Sequence, residues 1–335
     1  IFIILGCTHR EPVVIRLPTP VAPEKKEEQK KVVLTPKLQS FCKQVDTYFK
    51  KHRWGKTHHC ERYQWHHVRN SVQGTPLTWV TLGADETAHS KEHLNTTMLL
   101  CGVHGDEITP IKFCFDALQY LYEQERYKSY GEKKLFVIVP IANPDSFFTA
   151  KPTRTNARGV DINRNFPTRD WQKDALRLWK RNYRQDKRRF PGHHALSEPE
   201  TLFQVNLIKR YRPDKIISVH SPLTMLDYDG PTVLADDHHH HVHKRAKKLL
   251  QEMSEKASNY RVRNYGIFPG SLGNWAGKET KIPTYTLELP TSDARKSDHY
   301  WALFKEAMHH AFSNSLRPKE ETLQASAETT NELLP

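Results

Sequence analysis

No stretch of this chain is apolar for long enough to cross a membrane as a helix. RNP-type strings, spaced Cys/His fingers and glycine-rich phosphate loops are also missing, so no nucleic acid partner is expected. Hydrophobic residues fill only 37% of the 335 positions. Together with a mean hydropathy of -0.73, that scarcity fits a domain under a heavily charged surface. Acidic side chains are the minority charge: 38 Asp and Glu stand against 51 Lys and Arg, leaving a formal net charge of +13. Such an excess favours an acidic partner, and anionic lipid or carboxylate-rich wall peptides both qualify. Cysteine is rare, with five in the chain. Cys101 and Cys114 fall on elements expected to be buried. Cys42 and Cys60 can bridge in an oxidising compartment or stay apart, because spacing along the chain does not fix their distance.

What is present is organised around one stretch. Residues 97–103 run as an apolar strand into His104-Gly105-Asp106-Glu107, and a helix-like segment follows over 108–122. A His and a Glu three positions apart at a strand's carboxyl end can aim an imidazole and a carboxylate at one point, and Gly105 lets the turn close. The third ligand expected is His220, which follows the β-branched run Ile216-Ile217-Ser218-Val219 at the same strand-end position. Two His and one Glu leave a coordination position for water, the layout of a catalytic zinc rather than a structural one. The alternative is an ordinary hydrogen-bonded pair on a loop.

Around this stretch the chain divides into residues 1–7, a linker over 8–36, one catalytic domain over 37–317 and a polar tail over 318–335. Ile4-Leu5-Gly6-Cys7 resembles a bacterial lipobox, which implies acylation of Cys7 and a periplasmic, membrane-anchored lipoprotein of a Gram-negative bacterium. Prolines and a Lys/Glu run make 8–36 a tether. Leu38, Phe41, Val45, Tyr48 and Phe49 recur at helical spacing. Residues 68–83 read as a hairpin and 135–141 as a buried strand. Strands and helices alternate from there, so the expected fold is α/β: a mixed, mostly parallel sheet sandwiched by helices, with ligands at the strands' carboxyl ends. Residues 169–194 form a basic, aromatic insert, expected as a helix on the rim of the substrate cleft. The run His238-His239-His240-His241 is expected as a surface cluster at a helix start.

Four further strings share an order. Asn143-Pro144-Asp145, Gly159-Val160-Asp161-Ile162-Asn163-Arg164-Asn165-Phe166-Pro167, Ser197-Glu198-Pro199-Glu200-Thr201 and Thr286-Leu287-Glu288-Leu289-Pro290 follow one another in a way that resembles the zinc metallocarboxypeptidases, and among them the murein peptide amidases. The resemblance implies one zinc (Zn2+) per chain on His104, Glu107 and His220, with Glu288 as general base and acid. It implies that Asp161 accepts the other ring proton of His104, that Asn163 and Arg164 grip the substrate's terminal carboxylate, and that Arg154 meets the oxyanion. The implied reaction is hydrolysis of the γ-D-glutamyl–meso-diaminopimelate bond in peptidoglycan peptides. A carboxypeptidase of ordinary protein termini and a non-catalytic wall-binding lipoprotein are the alternatives. One departure stands out: residues 270–277 contain no tyrosine to match the mobile one of the digestive enzymes.

Overall fold

Thr35 opens the first helix, α1 (Pro36–His52), by accepting the Leu38 N–H on its hydroxyl, and Pro36 takes the first-turn position that needs no donor. Leu38, Phe41, Val45 and Phe49 form its buried stripe, and Leu34 before it already packs into the core. In the computed structural model, residues 34–55, 60–84, 94–131, 133–230 and 237–316 are described. Cys7, the tether up to residue 33 and the tail over 318–335 lie outside them.

The strands are β1 (Trp65–Asn70), β2 (Pro76–Gly83), β3 (Asn95–Leu100), β4 (Lys134–Val139), β5 (Lys215–His220), β6 (Met225–Asp229) and β7 (Thr284–Glu288), in one seven-stranded sheet of order β1-β2-β4-β3-β5-β7-β6. The central strands β4, β3, β5 and β7 are parallel, and β2 and β6 run against them at the flanks. Central strands of this kind are covered on both faces, which is why their sequences are continuous apolar runs. Alternation along β3 sends Met98 and Leu100 to one core and Leu99 to the other.

The first core lies under α1, α2 (Ile108–Tyr122), α6 (Asp237–Lys256) and α7 (Ser297–Ser313). The second lies under α5 (Pro199–Tyr211), which inserts Phe203, Leu207 and Tyr211. Two short helices, α3 (Pro144–Phe147) and α4 (Leu176–Arg181), carry the connections. The basic insert is helical only in part: an irregular turn at Trp171–Ala175 leads into α4, and a short turn at Lys187–Arg189 ends it. The histidine run falls at the start of α6.

Two disulfides cross-link the first core. Cys42 on α1 bridges to Cys60, and Cys101 at the end of β3 bridges to Cys114 on α2, with Cα atoms 5.3 and 6.2 Å apart. Closing loops of this length restricts the unfolded chain by about 3 kcal/mol each. The carboxyl ends of β3, β5 and β7 meet at one edge of the sheet, where His220 and Glu288 are register partners.

Candidate metal centre and active site

The turn after β3 is shaped by close backbone approaches. Gly102 has a positive φ of 62°, and a Cβ there would stand 3.0 Å from the Pro140 carbonyl oxygen. A Cβ on Gly105 would meet Ser146 Oγ at 2.3 Å, so only glycine lets the loop lie against α3. Glu107 N–H donates to the His104 carbonyl at 3.2 Å, which folds the two side chains toward each other just before α2.

The Glu107 carboxylate sits between two imidazoles. Its Oε1 is 2.7 Å from His104 Nδ1 and its Oε2 is 2.9 Å from His220 Nδ1. The outer nitrogens are occupied: His104 Nε2 lies 3.2 Å from Asp161 Oδ1, and His220 Nε2 lies 2.9 Å from Ser218 Oγ. Both rings therefore present Nδ1 to the same point. Ligand atoms of the three residues fall within 4.8 Å of one another, and all three residues are buried. The donor set fits a zinc ion: two imidazole nitrogens and a carboxylate converge, with the rings held from behind.

Burial alone would raise the Glu107 carboxyl, but His104 and His220 outweigh it and hold the group well below the usual carboxylate range. Asp161 is fully buried, and Arg154, then His104, likewise overcome burial to keep it ionised. Glu288 differs. Burial raises it, with His220 opposing and the nearby Glu107 charge adding to the rise. One of its oxygens, Oε2, accepts the Leu223 N–H at 3.3 Å.

Arg154 reaches the same point from the Asp161 side. Its Nε donates to Asp161 Oδ2 at 2.8 Å, and its Nη1 stands 3.3 Å from His104 Nδ1 and 3.4 Å from Glu107 Oε1. Asp161 also caps the short turn Ile162–Arg164 by accepting the Asn163 N–H. Asn163 accepts the Leu272 N–H on Oδ1 at 2.8 Å, which leaves its Nδ2 donor for the cavity it lines. Arg164 stacks its guanidinium 4.5 Å over the Phe268 ring, and its buried Nε has no hydrogen-bond partner among the described residues.

These groups, apart from the fully buried Asp161, share one cavity of about 380 Å³. The structure brings to it residues that carry no sequence motif. Arg188 and Arg189 of the basic insert line it, and Arg188 is tied to Asp106 of the ligand turn at 2.7 Å. Asp227 and Asp229 line it from one face of β6, opposite Thr286 and Thr284 of β7. Burial and the neighbouring Asp227 push Asp229 up to about 7. A Cβ on Gly273 would collide with Asp229 Oδ2 at 2.1 Å, so the chain is glycine where the carboxylate needs room. Tyr265, 42% exposed, also lines the cavity and donates its N–H to Asp227 Oδ1. The cleft thus has a tyrosine, from just upstream of the stretch in which none is found. Period-two reading of Leu226-Asp227-Tyr228-Asp229 is the sequence signal for the acidic pair. Arg158 does not reach the cleft; it donates to the Ser197 carbonyl and faces Glu198.

The fold and this site define a class, and residues 55–331 match the family model described as Zinc carboxypeptidase: the chain belongs to that family and is a hydrolase. Within it, murein peptide amidase A of Escherichia coli (strain K12) is 27% identical over 257 residues, covering 75% of this chain and 92% of the relative. The murein peptide amidase A of Vibrio campbellii (strain ATCC BAA-1116) is 28% identical over 226 residues, covering 67% and 78%. The crystal structure of murein-tripeptide amidase MpaA from Escherichia coli O157 is similar with a TM-score of 0.50 and 25% identity, over 76% of this chain and 93% of that one. Carboxypeptidase A from Helicoverpa armigera shares the fold, with a TM-score of 0.57 at 18% identity over 80% and 72% of the two chains.

Proposed function

We propose that this chain is a zinc peptidase that hydrolyses the amide between γ-D-glutamate and meso-diaminopimelate in peptidoglycan peptides and releases meso-diaminopimelate. The observation that carries the choice of substrate is the charge layout of the cleft. The leaving residue bears an α-carboxylate, and its side chain ends in an amine and a second carboxylate. Asn163 and Arg164 suit the α-carboxylate, because a bidentate guanidinium beside a neutral donor matches its geometry. Asp227 and Asp229 offer acceptors for the amine, and Arg188 and Arg189 offer donors for the second carboxylate. The names of the relatives support a wall-peptide substrate.

His104 and His220, through Nδ1, and Glu107, through its carboxylate, are the residues that would hold the zinc. A zinc ion held there would supply Lewis-acid polarisation of the scissile carbonyl and a water acidic enough to be deprotonated near neutral pH. Glu288, beside His220 at the end of β7, takes the proton from the attacking water and returns it to the leaving amine. Arg154, whose Nη1 stands beside His104 Nδ1 and Glu107 Oε1, would meet the oxygen on which negative charge develops. Asp161 holds His104 in the tautomer that leaves Nδ1 unprotonated for the metal. Access to wall peptides follows from acylation of Cys7 and a periplasm-facing anchor; a mature amino terminus elsewhere, without lipid mass, would refute that part.

Comparing kcat/KM for L-Ala-γ-D-Glu-meso-diaminopimelate and its lysine analogue at one salt concentration tests the reading. Lysine forgoes a charge-assisted pair between the second carboxylate and the exposed Arg188 and Arg189, which keep Asp106 and Asp186 as partners, so a preference of about twofold to fivefold, roughly 1 kcal/mol or less, is expected. Equal values would remove the second-carboxylate argument. The acidic pair on β6 also favours one rival, a carboxypeptidase that removes basic residues from ordinary peptide termini. Faster release of lysine from a plain peptide than of diaminopimelate from the wall tripeptide would favour it.

A further inference from the structure

The turn that carries two of the three metal ligands is enclosed by a disulfide. Cys101 lies just before His104, and Cys114 follows Glu107 at a sequence separation of 13 from Cys101. Both cysteines are fully buried. Cys101 is fixed to the sheet, donating its N–H to the Val139 carbonyl at 2.9 Å and accepting from Ala142 N–H at 3.0 Å. At the other end, α2 starts without the usual fastening. Glu107 is its N-cap residue but makes no capping hydrogen bond, because its carboxylate is turned to the two imidazoles. Thr109 supplies one tie, from its hydroxyl to the Thr291 carbonyl at 2.6 Å. The Cys114 sulfur supplies a covalent one, directly to the end of β3.

We propose that the Cys101–Cys114 disulfide positions the metal ligands, tying α2 to the end of β3 so that His104 and Glu107 on the turn between them are aligned before zinc arrives. The two cysteines are positioning residues and do not touch the metal. The inference rests on His104, Glu107 and His220 holding zinc and is independent of which peptide is cleaved. Cys42–Cys60 supplies the internal control: it cross-links α1 in the same core and encloses no ligand.

The test compares Cys101→Ala/Cys114→Val with Cys42→Ala/Cys60→Ala, reading melting temperature, zinc Kd by chelator competition, and the visible spectrum of the cobalt-substituted protein. Both pairs are expected to lower the melting temperature. Only the first is expected to weaken zinc binding, by about 10- to 100-fold, the scale on which outer supports of metal ligands act, and to change the cobalt spectrum. Zinc affinity in Cys101→Ala/Cys114→Val within about twofold of the parent would overturn the proposal. Should that variant fail to fold, a peptide map of the zinc-loaded parent without reduction decides. A linked Cys101–Cys114 peptide is expected, and unmodified thiols at both positions in protein holding one zinc per chain would overturn the proposal. Weak hydrolysis of any particular peptide would bear on the substrate alone, since zinc affinity is read without it.

Discussion

Glu288 and Lys215 are both ionisable, both buried, and both on central strands, and burial disfavours the charged form of each. For Glu288 the consequence is chemical. A carboxyl raised above its ordinary value is a stronger base toward the attacking water, and more of it is held in the protonated form that can return the proton to the leaving amine. Glu288→Gln is expected to retain one zinc per chain and to lose about 10²- to 10⁴-fold in kcat, measured by metal analysis beside turnover. Undiminished turnover would remove Glu288 from its role. For Lys215 the consequence is stability. Its Nζ donates to the Asn314 carbonyl at 2.6 Å, and burial, then Lys134 nearby, pulls its ammonium down to about 7. Between about 7 and the ordinary lysine value the unfolded chain binds more protons than the folded one, so stability rises with pH across that window. Urea unfolding near pH 7 and near pH 9 is expected to show a larger gain for the parent than for Lys215→Met; the same gain in both would contradict the assignment. The cluster of His104, Glu107 and His220 was legible in the sequence because each histidine stands where an apolar run stops and Glu107 follows His104 by three positions. Asp227, Asp229 and Tyr265 were not, since their place in the cleft depends on how β6 pairs and where the following loop returns.

At the scale of elements, the turn between β3 and α2 is the part with least tolerance. A methyl on Gly105 meets Ser146 Oγ and, at 2.8 Å, the Phe147 backbone nitrogen, and Ser146 Oγ itself accepts the Thr153 N–H at 2.9 Å. Gly105→Ala is therefore expected to cost about 1 to 3 kcal/mol by thermal unfolding and to weaken zinc binding, because relief must come from the ligand turn or from α3. An alanine variant with unchanged melting temperature and zinc affinity would show that the turn relaxes freely. Strands β3, β4, β5 and β7 and the stripe of α1 could be read because burial on both faces, or on one helical face, writes a period into the sequence. Edge strand β6 leaves only the short alternation Leu226-Asp227-Tyr228-Asp229 soon after Pro222, with charge on the face that lines the cleft, so its pairing could not be read. The insert over 169–194 is expected as a rim helix; only Leu176–Arg181 is α-helical, and the segment reaches the cleft through the short turn Lys187–Arg189 and the Arg188–Asp106 pair. Neither disulfide could be read from spacing, because Cys101 and Cys114 become neighbours only once α2 packs on β3.

For the whole molecule, 51 basic side chains stand against 38 acidic ones, but the cleft reverses that balance, with four arginines beside six Asp and Glu side chains. There Arg154, Arg164, Arg188 and Arg189 line the same cavity as Asp227 and Asp229. Arg154, Arg188 and Arg189 are paired with Glu107, Asp106 and Asp186, so Asp227 and Asp229 are the acidic pair that an amine on the leaving residue would meet. The measurement that tests this account most directly is mass spectrometry of L-Ala-γ-D-Glu-meso-diaminopimelate after incubation with the zinc-loaded protein. The expected result is L-Ala-γ-D-Glu together with meso-diaminopimelate, lost on chelation and restored by added zinc. An intact tripeptide, under conditions in which the same protein trims an ordinary peptide from its carboxyl end, would contradict it.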